Sequence, residues 1–122
     1  MTDKKTTLVI GASEKPERYS NMAIKTLRKH GYPVVAVGLR EGQVDDVLIS
    51  KNYPTNVRVD TITLYLNPNN QIPHYQQILS LNPRRIIFNP GTENPTLIRL
   101  AEEAGIESLE ACTLVLLSTD QY

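Results

Sequence analysis

The chain has no tryptophan, a single phenylalanine and a single cysteine, Cys112, among its 122 residues. One thiol excludes an intrachain disulfide and a multi-cysteine zinc site. The H-E-x-x-H zinc motif is missing too, so no bound metal is expected. Neither sign of charge is in excess, with thirteen Lys and Arg against thirteen Asp and Glu. Nucleic-acid binders driven by bulk charge are distinctly basic. Six tyrosines and the lone phenylalanine form no stacking pattern for bases. No nucleic-acid partner is expected, although a local anion site stays open. No apolar run approaches the roughly 18 residues of a membrane span. Met1-Thr2-Asp3-Lys4-Lys5 leads into no run long enough for a signal peptide. A G-x-S-x-G elbow and a Walker loop are lacking, as are internal repeats and linkers. The expectation is a soluble, cytoplasmic single domain over residues 1–122, with a homo-oligomer left open.

What is there is alternation. Leu8-Val9-Ile10, ended by Gly11, reads as a buried strand. A polar loop to Tyr19 follows, then a helix with Ser20 or Asn21 as N-cap. Ala23, Ile24 and Leu27 form its apolar stripe, and Gly31 suits the C′ stop. Val34-Val35-Ala36-Val37 is a second strand. Residues 40–58 read as irregular, with one apolar piece at Val47-Leu48-Ile49. Val59 to Leu66 and Arg85-Ile86-Ile87-Phe88 are further strands, separated by a helix opened at Asn67-Pro68. Asn94 and Pro95 mark the start of the last helix and Gly105 its end. Ile106 to Leu117 supplies a final strand and a tail. Strands alternating with helices give right-handed βαβ units. The predicted fold is one α/β Rossmann-like domain, with a five- or six-stranded, mainly parallel sheet and helices on both faces.

Such sheets bind ligands beyond the carboxyl ends of their strands. Here those ends are Gly11-Ala12-Ser13, Gly38-Leu39-Arg40, Asn67-Pro68-Asn69 and Asn89-Pro90-Gly91. A glycine turn feeding a helix N-terminus suits a pyrophosphate. The dinucleotide signature G-x-G-x-x-G is absent, because the next glycine after Gly11 is Gly31. The second strand ends on Arg40 rather than on the acid that holds an NAD ribose. A guanidinium suits a phosphomonoester on that ribose, as in NADP or coenzyme A. Cys112 reads as a small buried hydrophobe, Arg84-Arg85 as surface charge, and Asp45-Asp46 as a solvated loop.

The stretch Leu8-Val9-Ile10-Gly11-Ala12-Ser13-Glu14-Lys15-Pro16-Glu17-Arg18 resembles the opening of the small stand-alone CoA-binding domain proteins. These are similar to the N-terminal Rossmann domain of the succinyl-CoA synthetase α subunit. The resemblance continues through His30-Gly31-Tyr32-Pro33, Tyr53-Pro54, Asn89-Pro90-Gly91 and Leu100 to Ile106. It implies a coenzyme A diphosphate on the Gly11–Ser13 turn and the helix start at Ser20, Asn21 and Met22, with Pro16 and Arg18 in the preceding loop. Arg40 takes the place of the family's lysine near the nucleotide phosphate. Asn67-Pro68 and Asn89-Pro90-Gly91 flank the pantetheine arm.

No nucleophile–base pair emerges, so the expectation is binding of coenzyme A or an acyl-CoA without catalysis by the isolated chain. Two alternatives stay open. One is an NADP-binding oxidoreductase or redox-sensing module. The other is a protein-interaction module that has lost its ligand, with an oligomer built on Leu114–Leu117.

Overall fold

The computed structural model describes residues 4–122; Met1, Thr2 and Asp3, part of the leader reading, lie outside it. Apolar, β-branched tetrads form the central strands: β1 (Thr7–Ile10) and, after helix α1 (Tyr19–Lys29), β2 (Val34–Val37). A short hairpin follows, β3 (Gly42–Val44) and β4 (Val47–Ser50), then β5 (Thr61–Leu64). Next come helix α2 (Pro68–Gln71), a tighter turn over Ile72–His74, helix α3 (Tyr75–Leu81) and β6 (Arg85–Phe88). Helix α4 (Pro95–Glu103), β7 (Glu107–Glu110) and helix α5 (Thr113–Ser118) complete the chain. The sheet order is β3-β4-β2-β1-β5-β6-β7. Every neighbouring pair is parallel except β3 with β4. The chain runs outward to one side from β1 and then returns to the other. The ends of β1 and β5 therefore flank the switch point.

Both faces are covered. Leu8, Ile10, Ile62, Leu64, Ile86 and Phe88 meet Ile78, Leu97 and Ala101 from α3 and α4. Val9, Ala36 and Ile49 meet Ile24 and Leu27 of α1 and Leu117 of α5. Among the described residues no helix is long and apolar enough to cross a membrane.

Among the described residues the sheet has seven strands where five or six were expected. The addition is the β3–β4 hairpin, inside the segment read as irregular. Its turn is Asp45-Asp46, with Asp45 at φ +52 in the left-handed region. Asp46 receives two hydrogen bonds from Arg28, from Nε at 3.0 Å and from a terminal nitrogen at 2.7 Å. Strands of three and four residues around a glycine-free turn carry almost no local signature. The tail also differs: β7 ends at Glu110, and Leu114–Leu117 lies within α5. Leu117 is buried in the chain's own core. Arg85, expected as surface charge, is buried; its Nε donates to Thr61 Oγ1 at 2.9 Å and its guanidinium lies over the Tyr122 ring. Parallel pairing on both sides of β6 puts its first side chain under the C-terminal residue.

Arg84 grips both oxygens of Asp60, at 3.0 and 3.1 Å, and Thr61 Oγ1 donates to the same carboxylate at 2.8 Å. Burial pushes that carboxyl up. The Arg84 guanidinium and the Thr61 hydroxyl outweigh it and hold Asp60 below its ordinary 3.8. A depressed folded pKa gives stability that is present above the unfolded value and lost as pH falls through the folded one. The Tm of Asp60→Asn is therefore expected to lie below that of the wild type at neutral pH, with the gap closing below about pH 4. A gap that stays constant in acid would show that the pair contributes nothing.

Candidate functional site

The turn after β1 is built by backbone packed on backbone. Gly11 sits at φ +93, and a Cβ on it would lie 2.9 Å from the Tyr65 carbonyl oxygen. The Gly11 and Ala12 N–H groups both donate to Val37 O, at 2.9 and 3.0 Å. A Cβ on Gly38 would lie 2.4 Å from Ala12 O. Glycine is the residue that permits each approach. Ser13 is then tethered twice: its Oγ accepts from Lys15 N–H at 3.1 Å and its carbonyl from Asn21 Nδ2 at 3.0 Å.

Helix α1 begins two to three residues earlier than expected. Its N-cap is Arg18, which makes no side-chain capping bond, and its first turn has no acid. The expected caps Ser20 and Asn21 lie inside the helix and are buried. Asn21 is occupied with Ser13 instead, and its Oδ1 is buried without a partner. Helix N-caps strongly favour Ser, Thr, Asp and Asn. An arginine there leaves free N–H donors and the positive end of the dipole open.

That open end faces a cleft of ≈ 650 Å³ beyond the carboxyl ends of the strands. Gly11, Ala12, Ser13, Arg18 and Ser20 line one side of it. Arg40, Asn67, Pro90 and Gly91 line the rest, so nine of the residues proposed from the sequence come together. The other five stand off the lining. Pro16 is exposed on the loop, Met22 is partly exposed on α1, and Pro68 is the first residue of α2. Asn21 lies beneath the loop. Asn89 is buried, with Nδ2 donating to Thr63 Oγ1 at 2.7 Å and Leu64 O at 2.9 Å, and Oδ1 accepting from Thr113 N–H at 2.8 Å. All its side-chain hydrogen bonds run into the fold, and they brace the turn from behind.

Several lining residues were missed: Lys15, Tyr19, Leu39, Tyr65, Asn70 and Thr92. Leu39 lies inside a quoted turn, Tyr19 follows the loop ahead of α1, and the others lie within two residues of a quoted turn on one side or the other. Lys15, Arg18 and Arg40 are the cations of the cleft; Glu14 and Glu41 are its acids. Glu14 reaches over the edge strand, where its carboxylate accepts from Gln43 N–H at 2.8 Å. Tyr19 and Leu39 are 70% and 88% exposed, an apolar surface at the cleft. Burial pushes the Tyr65 phenol up to about 12, so it is neutral and polar without being ionised.

The remaining chemistry-bearing residues lie elsewhere. Nδ1 of His74 shares a hydrogen with the Tyr53 hydroxyl at 2.6 Å. Burial lowers the imidazole's pKa and pushes the phenol well above its usual range. Cys112 is half-buried at the N-cap of α5. Among the described residues the cleft lining holds neither histidine nor cysteine. Among the described residues no group of three or more His, Cys, Asp or Glu side chains could hold a metal ion.

No curated protein matches the chain. Among solved structures, an uncharacterized protein is 44% identical at a TM-score of 0.94, covering 99% of this chain and all (100%) of that one. A protein from Thermus thermophilus is 23% identical at a TM-score of 0.86, over 98% of this chain and 91% of that one. A dinucleotide-forming acetyl-coenzyme A synthetase from Ca. Korarchaeum cryptofilum, in complex with phosphate and ADP, has a TM-score of 0.73 at 14% identity. That match covers 88% of this chain and 25% of the synthetase chain. The last two likenesses are of fold. A family model for the CoA binding domain matches residues 5–118, and with the glycine turn, the open helix end and the cleft at the sheet's switch point in view, this chain belongs to the CoA-binding domain family.

Proposed function

We propose that this chain binds coenzyme A or an acyl-CoA in the cleft, with the ligand's diphosphate on the Gly11–Ser13 turn and the open start of α1. One observation carries the reading. An eleven-residue helix is capped by an arginine, without a side-chain cap or an acid in its first turn, and it opens onto a cleft beside a glycine turn. Free N–H groups and a helix dipole together favour an anion. Arg40 takes the 3′-phosphate, and Tyr19 and Leu39 offer the base an apolar surface. Asn67 and Pro90-Gly91 flank the pantetheine arm. Coenzyme A would supply the thiol or thioester. The chain's residues bind and orient it, and the reading is of binding without catalysis by the isolated chain. NADP is the runner-up, because the same guanidinium suits a 2′-phosphate.

Thermal shifts with coenzyme A, acetyl-CoA, dephospho-CoA and NADP separate the two. A ligand at about 100 times its Kd stabilises by roughly 2.7 kcal/mol, a shift of about 10 °C for a domain of this size. That shift is expected with coenzyme A and not with NADP; the reverse pattern makes NADP the ligand, and no shift with either removes both readings. Arg40→Ala is expected to weaken coenzyme A about tenfold and leave dephospho-CoA unchanged. Equal weakening of both ligands would mean that Arg40 does not read the 3′-phosphate.

A further inference from the structure

Gln71 is the last residue of α2 and is fully buried, at 0% exposure. Its Nε2 donates both hydrogens, one to Leu66 O and one to Thr92 O, each at 2.8 Å. Its Oε1 accepts from Asn94 Nδ2 at 2.9 Å. Leu66 belongs to the turn after β5 and Thr92 to the turn after β6, and both line the cleft. Asn94 is fixed in turn. Its second Nδ2 hydrogen goes to the Tyr75 hydroxyl at 2.7 Å, and its Oδ1 accepts from Thr96 and Leu97 N–H at the start of α4. One primary amide therefore ties together two loops that the chain joins through α2, the Ile72–His74 turn, α3 and β6. A carboxamide carries two donors and an acceptor in one plane. A carboxylate would set oxygen against the two carbonyls, and an apolar side chain would leave them unpaired.

We propose that Gln71 is a positioning residue: it sets the spacing of the two loops that form the cleft's far wall, and through them the preference for a ligand carrying a pantetheine arm over a bare nucleotide. The inference rests on the coenzyme A reading and extends it. Gln71 makes no hydrogen bond to the glycine turn, α1 or Arg40, which carry the nucleotide end; the end of β5 packed on Gly11 is held separately, by Tyr65 N–H donating to Ile10 O at 2.9 Å. Loss of Gln71 should therefore weaken the two parts of the ligand unequally, whereas a merely structural residue would weaken both alike.

The test is titration calorimetry with coenzyme A and with adenosine 3′,5′-bisphosphate, on the wild type, Gln71→Met and Asn94→Asp. Asn94→Asp keeps the helix cap but replaces the donor to Oε1 with an acceptor. The Gln71 amide must then turn and release a loop carbonyl, which keeps the question answerable if Gln71→Met does not fold. Both variants are expected to bind coenzyme A about tenfold more weakly, with the bisphosphate changed by less than about twofold. Equal loss of both ligands, or no loss of coenzyme A, overturns the inference. So does a wild type that binds coenzyme A no more tightly than the bisphosphate. A wild type that binds neither ligand overturns the coenzyme A reading itself, and the role of Gln71 with it.

Discussion

Gly38→Ala is expected to lower the Tm by about 10 °C and to weaken coenzyme A binding at least tenfold, by adding one methyl group. The new Cβ would meet Ala12 O at 2.4 Å and Ile49 Cγ2 at 3.0 Å. The first contact is with backbone, and that backbone is pinned, because Ala12 N–H donates to Val37 O at 3.0 Å. Relief requires the turn to move or β2 to separate from β1. Overpacking of this kind costs about 3 kcal/mol. The displaced carbonyl belongs to the turn proposed to hold the diphosphate, so affinity and stability should fall together. Gly91→Ala is the control. Gly91 has φ +91 with nothing within 4 Å of an added Cβ. That substitution carries only the left-handed backbone penalty, about 1 kcal/mol. If the two variants melt together, the close approach at Gly38 is not what holds the turn.

Asn89→Asp is expected to cost more, about 4 kcal/mol at pH 8. The amide's two donors vanish, and a carboxylate oxygen is placed against the Leu64 carbonyl and beside Thr63 Oγ1. The remaining oxygen keeps Thr113 N–H, at 2.8 Å in the wild type. Burial without a partner raises the pKa of such a carboxyl. Stability should then be lowest at high pH and recover as pH falls toward the unfolded value near about 4. Asn89→Ala loses these two hydrogen bonds and the one from Thr113 N–H without adding charge, and its defect should not depend on pH. Denaturant melts of both variants at pH 8 and pH 5 decide the matter; matching behaviour would mean that the site tolerates charge. Thr113 and Thr63 would share the damage, because their hydroxyls are 2.8 Å apart and both meet the Asn89 amide through Thr63 Oγ1 or Thr113 N–H.

Much of the architecture was legible locally. The β-branched tetrads at Val34–Val37 and Arg85–Phe88 fell where they were read. Asn94 with Pro95 opens α4, and Asn67 with Pro68 opens α2, each asparagine accepting from the first turn. These signals need only neighbouring residues: a capping oxygen, a fixed φ, an apolar run between turn formers. Strand-to-helix alternation then led to a parallel sheet and to the edge where a ligand would lie. The glycine turn and Arg40 were found by the same route, and both line the cleft.

What stayed hidden depends on partners distant in the chain. Gly38 looks like an ordinary turn glycine until Ala12 is seen against it. Arg18 became the cap of α1 although Ser20 and Asn21 stand nearby with better side chains, because Asn21 is held by Ser13 and Ser20 is buried. The β3–β4 hairpin rests on pairing with β2, which its own few residues do not announce. Nothing in its neighbouring residues marks Gln71, and only the approach of two loops gives it three partners. Periodicity and caps are written in consecutive residues, so they can be read without a structure. Close backbone approach and the pairing of buried polar groups arise from packing, so they appear only when the chain is folded.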